Sequence, residues 1–456
     1  MQQRLLVPFA GDGSGLEELT WGQWYVWGLM ADFGSMPMVG GAMRLEKGTT
    51  VDHIVHLLSF IVSRHQSLRT RIRVQPDGTP MQLVADAGEV ELEIIDTPLD
   101  EDPAEVAEAV RLRYKETPFD IAEDWPVRMA VIRKDGVPDH FVAIYSHMAI
   151  DGYGFEALIR DLANLDRSTG EHLAPVSGTQ PMELARQQRT PASRRLNDNS
   201  IQYWERVLRG SPVNPFNGPY PGQEPRWWEC TYVTHAAYIA TNAISARTRL
   251  HTGPVLLAAY AVAVARVTGI NPVLVRIVVS NRFRPGFADS VSGLGEPSLC
   301  LIDVRDCTFD EAVTRAWHSQ LNAAKNGYYD PRDMWALRDR IEKERGSEID
   351  FGWYFNDGRR GTAQPMAETT PTEEQMWDAL ALSRLSWAVK SNSPDFKAYL
   401  DINREPDAIS YNFLADTRIV SLHEQIAIVR AVEEILMAAA FDPGYIGLPG
   451  HAKLHR

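Results

Sequence analysis

One segment constrains the fold of this chain more than any other, because in it an apolar strand passes directly into a turn that carries ionisable side chains. The apolar run His140–Tyr145 continues without a break into Ser146-His147-Met148-Ala149-Ile150-Asp151-Gly152. Gly152 and Gly154 permit a sharp bend, and the apolar spacing that follows as far as Leu165 is typical of a helix. The sequence therefore predicts a strand, a tight turn and a helix in immediate succession, with His147 at the end of the strand.

His147 is the residue of this segment with the most direct chemical use. A neutral imidazole at the end of a strand is held by a rigid scaffold and can accept a proton from an attacking amine or hydroxyl. A lone histidine in this position is more often a hydrogen-bonded structural residue, so the position by itself does not establish catalysis. Asp151 lies four residues further on. It is not assumed to contact His147, and a buried ion pair that fixes the turn is an alternative use of its carboxylate.

Strand-like and helix-like segments alternate along the chain, which predicts a mixed α/β protein. Val51–Arg64 has apolar residues at helical spacing, and runs on either side of Pro76-Asp77-Gly78 predict a hairpin. Beyond the centre of the chain, the segments predicted as helices or strands are Ile201–Leu208 and Pro254–Val267 (helices) and Thr231–Ile239 and Val273–Val279 (strands).

A change of composition divides the chain. Residues 168–192 hold several Gly, Pro, Ser and Thr residues and little apolar periodicity, which predicts a linker. A length of 456 residues is enough for two or three domain-sized cores. We therefore expect two halves, residues 1–170 with the His147 segment and residues 171–456.

Composition excludes several classes of protein. The three cysteines, Cys230, Cys300 and Cys307, form no Cys-x-x-Cys pair and no Cys/His spacing for zinc, so we expect neither a metal site nor a disulfide framework. A reducing cytoplasm suits such a chain. The N-terminus lacks the apolar run of a signal peptide, and no stretch is long and apolar enough to span a membrane. The formal net charge of −14 disfavours nucleic acid as a partner.

Six ordered segments resemble the condensation domains of nonribosomal peptide synthetases. The central one, Ser146-His147-Met148-Ala149-Ile150-Asp151-Gly152, is similar to the core motif His-His-x-x-x-Asp-Gly of that family. The others resemble its opening motif, its Arg-His-x-x-Leu-Arg-Thr motif, the segment before the core strand, the helix that opens the second half, and an apolar strand that ends in Gly-Arg. They are Leu19–Trp27, Arg64–Arg71, Phe119–Arg128, Gln202–Gly210 and Val278–Arg282. The resemblance covers nearly the whole chain.

The resemblance implies a fold and a set of site residues. Condensation domains are α/β proteins of two chloramphenicol acetyltransferase-like halves, arranged as a V around a central tunnel. The second His of the motif is the one associated with catalysis, and His147 occupies its place. The motif Asp pairs with an Arg on a strand of the second half, so Asp151 and Arg282 are the candidate pair, and Gly152 completes the structural support. The sequence leaves open whether Arg282 is instead a surface residue beside Arg284.

Two positions depart from the family pattern. Ser146 replaces the first His of the core motif, whose role in the family is structural, and a Ser hydroxyl can hold a similar local bond or a water. A covalent role for Ser146 is disfavoured, because adjacent side chains on a strand point to opposite faces and His147 cannot readily activate it. The segment Gly293–Leu299 stands where relatives commonly carry Phe-Val-Asn-Thr and line the tunnel, so we expect an unusual substrate choice.

Four arginines concentrate positive charge in the predicted linker of this acidic chain: Arg186, Arg189, Arg194 and Arg195. They are candidates for docking an acidic carrier protein, or the phosphate of its arm. A solvated surface is the alternative, and it is the commoner use of such a cluster.

The resemblance implies an acyltransferase that moves a carrier-bound acyl or aminoacyl thioester to an amine or hydroxyl. No permanently bound cofactor is expected, since the phosphopantetheine arm of an acyl or peptidyl carrier protein presents the substrate. The nucleophile is a small molecule or is itself carrier-bound. No adenylation or carrier segment follows, so we expect a free-standing enzyme, with an excised module of a longer protein as the alternative. The alternatives are a catalytically silent relative that recruits a partner enzyme, a coenzyme A-dependent acyltransferase and an epimerising relative. The sequence determines neither the acyl group nor the nucleophile.

Overall fold

The computed structural model of the chain describes residues 2–33, 37–212, 218–349, 352–359, 371–391 and 396–448. The chain forms two compact units. The first contains Met1–Asn197, Ser280–Glu296 and Tyr329–Arg332, and the second contains Asp198–Val279, Pro297–Tyr328 and Asp333–Arg456. The segment Ser280–Glu296 therefore belongs to the first unit although it comes late in the sequence.

The first unit is built around a five-stranded sheet and a smaller three-stranded one. The strands of this unit are β1 (Gln2–Ala10), β2 (Gly15–Glu18), β3 (Met38–Arg44), β4 (Thr70–Val74), β5 (Pro80–Val84), β6 (Ala87–Asp96), β7 (Val127–Lys134) and β8 (Val137–Ser146). Its helices are α1 (Trp21–Phe33), α2 (Val51–Arg64), α3 (Pro103–Glu116), α4 (Gly152–Asp161) and α5 (Pro181–Gln188). The large sheet has the order β1-β6-β7-β8-β3, in which β6 and β7 are parallel and the other neighbours antiparallel.

Helices cover both faces of the large sheet, and strand β8 shows how the sequence sorts its side chains between them. Ala143 and Tyr145 belong to a core that includes residues of α2 and α4. Val142 and Ile144 belong to a second core that includes residues of α3. Because side chains alternate along a strand, a continuous apolar run is what a strand covered on both faces requires.

The second unit contains a seven-stranded sheet with helices packed in its core. The remaining elements are α6 (Pro191–Gly210), which crosses from the first unit into the second, β9 (Trp227–Thr234), α7 (His235–Thr248), α8 (Thr252–Thr268), β10 (Val273–Val279), β11 (Glu296–Ile302), α9 (Phe309–Lys325), α10 (Pro331–Arg345), β12 (Trp353–Asp357), α11 (Glu373–Leu380), β13 (Arg384–Ser391), β14 (Ala398–Glu405), β15 (Ala408–Asp416) and α12 (Leu422–Phe441). The strand order is β11-β10-β12-β14-β15-β9-β13. Helix α8 is buried from Pro254 to Ala265, which explains why its sequence is apolar all round.

The predicted linker is where the structure differs most from the sequence interpretation. The linker contains α5 and the start of α6, whose first residue is Pro191 rather than the predicted Ile201. The Thr190 hydroxyl accepts the Ser193 amide at 3.3 Å, and a proline suits the first position of a helix. The first compact unit accordingly extends past residue 170, to Asn197.

The strand predicted at Thr231–Ile239 is wrong at its C-terminal end. Strand β9 stops at Thr234, because the Thr234 hydroxyl accepts the Ala237 amide at 3.0 Å and so begins α7. A cap of this kind decides between strand and helix for a sequence whose apolar residues suit either.

Two further features concern the cysteines and the candidate membrane-spanning segments. Cys230, Cys300 and Cys307 are buried and unpaired. Among the described residues, no single helix has both the length and the apolar character needed to cross a membrane; α7 and α8 reach them only as a pair bent by 113°.

Candidate active site

His147 stands in a turn that the end of β8 organises. The Ser146 carbonyl accepts the amides of Ala149 and Ile150 at 3.0 and 3.3 Å, and the Ser146 hydroxyl accepts the Met148 amide at 3.2 Å. The His147 amide donates to the Pro37 carbonyl at 3.0 Å. The backbone of the turn is therefore hydrogen-bonded on both sides of His147, so the imidazole starts from a fixed position.

The two ring nitrogens of His147 have different surroundings. Nδ1 is buried, and it has no hydrogen-bond partner among the described residues. The side chain as a whole is only half-buried. Nε2 is not among the buried atoms of this side chain, so it is the nitrogen that an entering molecule can reach.

Asp151 ends the turn and begins α4. One of its carboxylate oxygens accepts the Gly154 amide at 2.6 Å, which makes Asp151 the N-cap of the helix. The other oxygen accepts the amides of Leu294 and Gly295 at 2.8 and 2.6 Å. These two residues lie in Ser280–Glu296, so a single carboxylate joins the start of α4 to the late segment of the first unit.

Arg282 completes the surroundings of this carboxylate. Its guanidinium nitrogens lie 3.0 and 3.1 Å from the two oxygens of Asp151, and the contact is almost fully buried. The same guanidinium donates to the Ser292 carbonyl at 2.9 Å and to the Ser280 and Ser290 carbonyls at 3.3 Å. Arg282 is thus a buried partner of Asp151 rather than a surface arginine.

The ionisation of Asp151 follows from these contacts. Burial acts to raise the pKa of the carboxyl, but the charge of Arg282 and the amides of Gly154, Leu294 and Gly295 outweigh it and hold the pKa below its ordinary value. The carboxylate is therefore ionised at neutral pH and fully engaged in the loop. Its geometry assigns it to holding the turn rather than to exchanging a proton with His147.

Gly154 is required by the close packing of α4 against the same late segment. A Cβ atom at this position would lie 2.7 Å from the Ser292 carbonyl oxygen and 3.0 Å from a guanidinium nitrogen of Arg282. The segment reaches α1 as well, since a Cβ on Gly22 would lie 2.1 Å from the Gly293 carbonyl oxygen. Side chains at these glycines would separate the segments that surround His147.

The far end of α4 is held by a second charged cluster. The Asp161 carboxylate accepts two hydrogen bonds from Arg64, at 2.7 and 3.0 Å, and lies 3.0 Å from Nε2 of His65. Burial raises the pKa of Asp161, but His65 and Arg64 outweigh it and lower the pKa far below its usual range. The Arg64-His65 motif therefore fixes one end of α4 and Asp151 fixes the other. No pattern in the sequence indicated that Asp161 is the partner.

The segment that departs from the family pattern supplies backbone rather than side chains to Asp151. Leu294 and Gly295 contribute their amides, and Asn281 donates to the Leu294 carbonyl at 3.0 Å. Glu296 follows and is buried; burial, together with the nearby Asp330, raises the pKa of its carboxyl well above the ordinary value. Glu296 is a buried acid that the sequence interpretation did not single out.

Two of the four linker arginines have carboxylate partners in the first unit. Arg186 lies 2.7 Å from Glu17, and Arg189 lies 2.8 Å from Glu17 and 3.1 Å from Glu18. Burial acts to raise the pKa of Glu17, but hydrogen bonds from Arg186, the Glu18 amide and Arg189 hold it below the ordinary value. Much of the charge of this pair is therefore neutralised by its neighbours.

The other two arginines present their charge to solvent. Arg194 and Arg195 are exposed in the first turns of α6, and no carboxylate of the described residues lies within ion-pair distance of either. The four arginines are consequently not one surface of uniform charge. The sequence could not show this, because Glu17 and Glu18 are distant along the chain.

The condensation-domain family model matches residues 18–347, a range that includes the His147 turn, Asp151 and Arg282. The chain belongs to the condensation-domain family. Members of this family are acyltransferase-type catalysts that form amide or ester bonds in natural-product biosynthesis.

Individual relatives are distant in sequence. A nonribosomal peptide synthetase of Penicillium thymicola, penN, is 26% identical over 297 residues, which is 62% of this chain and 10% of that synthetase. The chain thus spans only a small part of the length of this curated relative.

Solved structures share the fold. SgcC5 from Streptomyces globisporus superposes with a TM-score of 0.69 at 19% identity, over 94% of this chain and all of that one. The X-domain of teicoplanin biosynthesis, solved in complex with OxyB, gives 0.70 at 18% identity, over 98% and 97% of the two chains. At these identities the likeness establishes the α/β condensation-domain fold.

Proposed function

We propose that this condensation domain transfers a carrier-bound acyl or aminoacyl thioester to an amine or hydroxyl nucleophile, with His147 as the catalytic residue. The observation that supports this most strongly is the His147 turn. A half-buried imidazole stands at the end of β8, and the hydrogen bonds that Ser146 and Pro37 accept, together with the Asp151 network, hold the backbone on both sides of it.

The chemistry assigned to His147 is proton transfer or positioning. The nucleophile forms a bond to the thioester carbonyl carbon, the carbon–sulfur bond breaks, and the proton of the nucleophile passes to Nε2 of His147 and then to the departing thiolate. Because a thioester is already activated, holding the two reactants together contributes much of the rate, and a base typically adds a factor of ~10²–10⁴.

The substrate in this proposal arrives on the phosphopantetheine arm of an acyl or peptidyl carrier protein, and the second substrate is a small molecule or another carrier-bound group. A catalytically silent protein that recruits a partner enzyme is the competing function. It would need no imidazole with an accessible nitrogen. A third candidate function is transfer of the acyl group from a coenzyme A thioester, with no carrier protein.

Intact-protein mass spectrometry of loaded carriers, with nucleophile present, tests the proposal. The wild-type chain should unload the carrier and release an amide or ester, and His147→Ala should fold normally and lose ~10²–10⁴ in turnover. A well-folded His147→Ala with turnover near that of the wild type would refute the mechanism. If the wild type binds loaded carriers without unloading them, it is the silent recruiter. If it unloads only coenzyme A thioesters, no carrier is involved.

Carrier docking is proposed for Arg194 and Arg195, because they are exposed and lack carboxylate partners among the described residues. Charges at the rim of an interface mainly change association rate and salt dependence. Reversal of both to Glu should raise the Michaelis constant for the loaded carrier at low salt, with turnover at saturation nearly unchanged. The difference should shrink as salt screens charges over ~8–10 Å.

A charge-matched control separates local docking from net charge. Arg340 and Lys343 are exposed on α10, and their reversal to Glu changes the net charge by the same amount. This control should leave the Michaelis constant close to that of the wild type. If both double reversals raise the Michaelis constant equally, α6 is not part of the docking surface. The same conclusion follows if reversal of Arg194 and Arg195 leaves the Michaelis constant unchanged.

A further inference from the structure

The first unit contains an apolar cavity of about 640 Å³ that the proposed chemistry does not use. It lies between the β3–β8 edge of the large sheet and helices α2 and α4. Its walls include Ile54 and Leu57 of α2, and Phe155 and Leu158 of α4. No residue of the His147 turn, from Ser146 to Asp151, lines it. Its volume falls in the range of ordinary small-molecule sites.

The cavity exists because two small residues face each other across the strands that form its floor. Gly41 of β3 is paired with Ala143 of β8. Directly opposed residues of a strand pair point to the same face of the sheet, and Ala143 belongs to the core on the α2 and α4 side. A Cβ on Gly41 would have no atom within 4 Å. The open space above this part of the floor is therefore a consequence of the two small residues of this strand pair.

The length of the floor sets the shape of what can enter. From Val39, opposite Tyr145, to Arg44, the strand advances about 17 Å at ~3.3 Å per residue. The neighbouring pairs on the same face are Val39 with Tyr145 and Met43 with Phe141, which place large apolar side chains on both sides of Gly41. An elongated apolar body fits this arrangement better than a compact polar one.

An aromatic pair forms part of the cavity wall. Tyr145 lines the cavity and is 3% exposed, and its ring packs edge-to-face on Phe155 at 5.7 Å between centroids. Burial raises the pKa of the Tyr145 phenol, so its hydroxyl stays neutral. The wall at this point is therefore uncharged and suits the apolar body of an occupant.

Two exposed arginines lie at the cavity although the chain is acidic. The charged lining residues are Arg44, Arg167 and Glu46, and His53 lies among them. Arg44 lies 3.5 Å from Asp139, and Arg167 lies 3.6 Å from Glu46, but both arginines are about three-quarters exposed. Long exposed ion pairs of this kind are weak and exchange readily. His53 accepts the Thr50 amide on Nδ1, which leaves Nε2 as a further donor.

We propose that this cavity binds a free amphipathic organic anion, with its apolar body against Gly41 and Ala143 and its acidic group at Arg44 and Arg167. The site is separate from His147 and does not depend on the proposed transfer reaction. Binding is therefore measurable on the purified chain with no carrier present.

Dodecanoate, measured by calorimetry and by displacement of anilinonaphthalene sulfonate fluorescence, is the probe. The wild type should bind it saturably at one site. Gly41→Leu places a side chain in the open space above the cavity floor and should abolish that binding, while its thermal unfolding temperature stays equal or rises. Ala87→Leu is the matched control, because it places a leucine at an exposed position of β6 in the same sheet, and Ala87 does not line the cavity. Its affinity should match that of the wild type.

A second variant tests the anionic end and does not depend on Gly41→Leu folding. Arg44→Gln with Arg167→Gln should weaken dodecanoate by about tenfold or more, and should leave neutral dodecanol unchanged. The proposal is overturned if the wild type shows no saturable binding, if Gly41→Leu folds and binds as the wild type does, or if the double variant weakens dodecanoate and dodecanol equally.

Discussion

Replacing Asp151 by Ala should be among the most damaging single changes in the first unit. The substitution removes the acceptor of three amides and leaves the Arg282 guanidinium buried without its counter-charge. An N-cap typically contributes ~1 kcal/mol, and breaking a buried pair from one side costs ~3–5 kcal/mol. These terms overlap, so we expect a loss of ~3–5 kcal/mol. At ~2–4 °C per kcal/mol for a domain of this size, the melting temperature should fall by about 6–20 °C.

A double-mutant cycle isolates the pair. Asp151→Ala, Arg282→Met and the double variant are compared with the wild type by denaturant unfolding, followed by tryptophan fluorescence. Because the double variant buries no orphaned charge, it should be more stable than the sum of the single losses implies, by ~1–3 kcal/mol. If the stability losses of the two single variants add up to the loss of the double variant within ~0.5 kcal/mol, the two residues do not interact and the reasoning is refuted.

The pH dependence supplies an independent check through Asp151→Asn. The folded state holds the Asp151 pKa below its unfolded value of ~3.9. The contribution of the ionised Asp151 to the free energy of unfolding is therefore fully present above that pH, and it is lost as the pH falls through the folded-state pKa. The stability difference between wild type and Asp151→Asn should be constant from pH 7 to ~5 and should narrow below ~4. A difference that grows on acidification would contradict the assignment.

Two further predictions concern the same turn. Ser146→Ala removes the acceptor of the Met148 amide and should cost ~0.5–1.5 kcal/mol, yet keep much of the turnover; an acyl adduct on Ser146, seen by peptide mass spectrometry, would overturn its structural role. Gly154→Ala forces a Cβ against the Ser292 carbonyl and should cost ~1–3 kcal/mol along with activity, whereas Gly210→Ala, whose Cβ meets only an ordinary contact at 3.5 Å, should be nearly silent in the same unfolding assay.

Local signals in the sequence were sufficient for several elements. Helix α2 has the predicted bounds, Val51–Arg64, because its apolar spacing and its Thr50 cap are both local. Strand β8 and the turn after it also follow from adjacent residues. Thr190 and Pro191 carried an equally local signal for the start of α6, which the composition of the linker obscured.

Contacts between residues far apart in the sequence could not be predicted from the periodicity of apolar residues. The contact of Asp151 with Arg282 was expected only from the resemblance to a family, since 131 positions separate the two residues and no pattern joins them. Nothing in the sequence indicated that Arg64 pairs with Asp161, or that Arg186 pairs with Glu17. An ion pair is chosen by proximity in space, and many carboxylates along the chain are equivalent until it folds.

The sequence by itself determined the α/β class, the strand–turn–helix that carries His147, and the position of that histidine in a family motif, because each depends on residues within a few positions of one another. Only the tertiary structure decided which backbone amides surround Asp151, which linker arginines have carboxylate partners, and that Gly41 lies beside Ala143 on the floor of a cavity. The physical reason is that burial, ion pairing and cavity volume depend on which elements pack together, and packing joins residues that the chain keeps far apart.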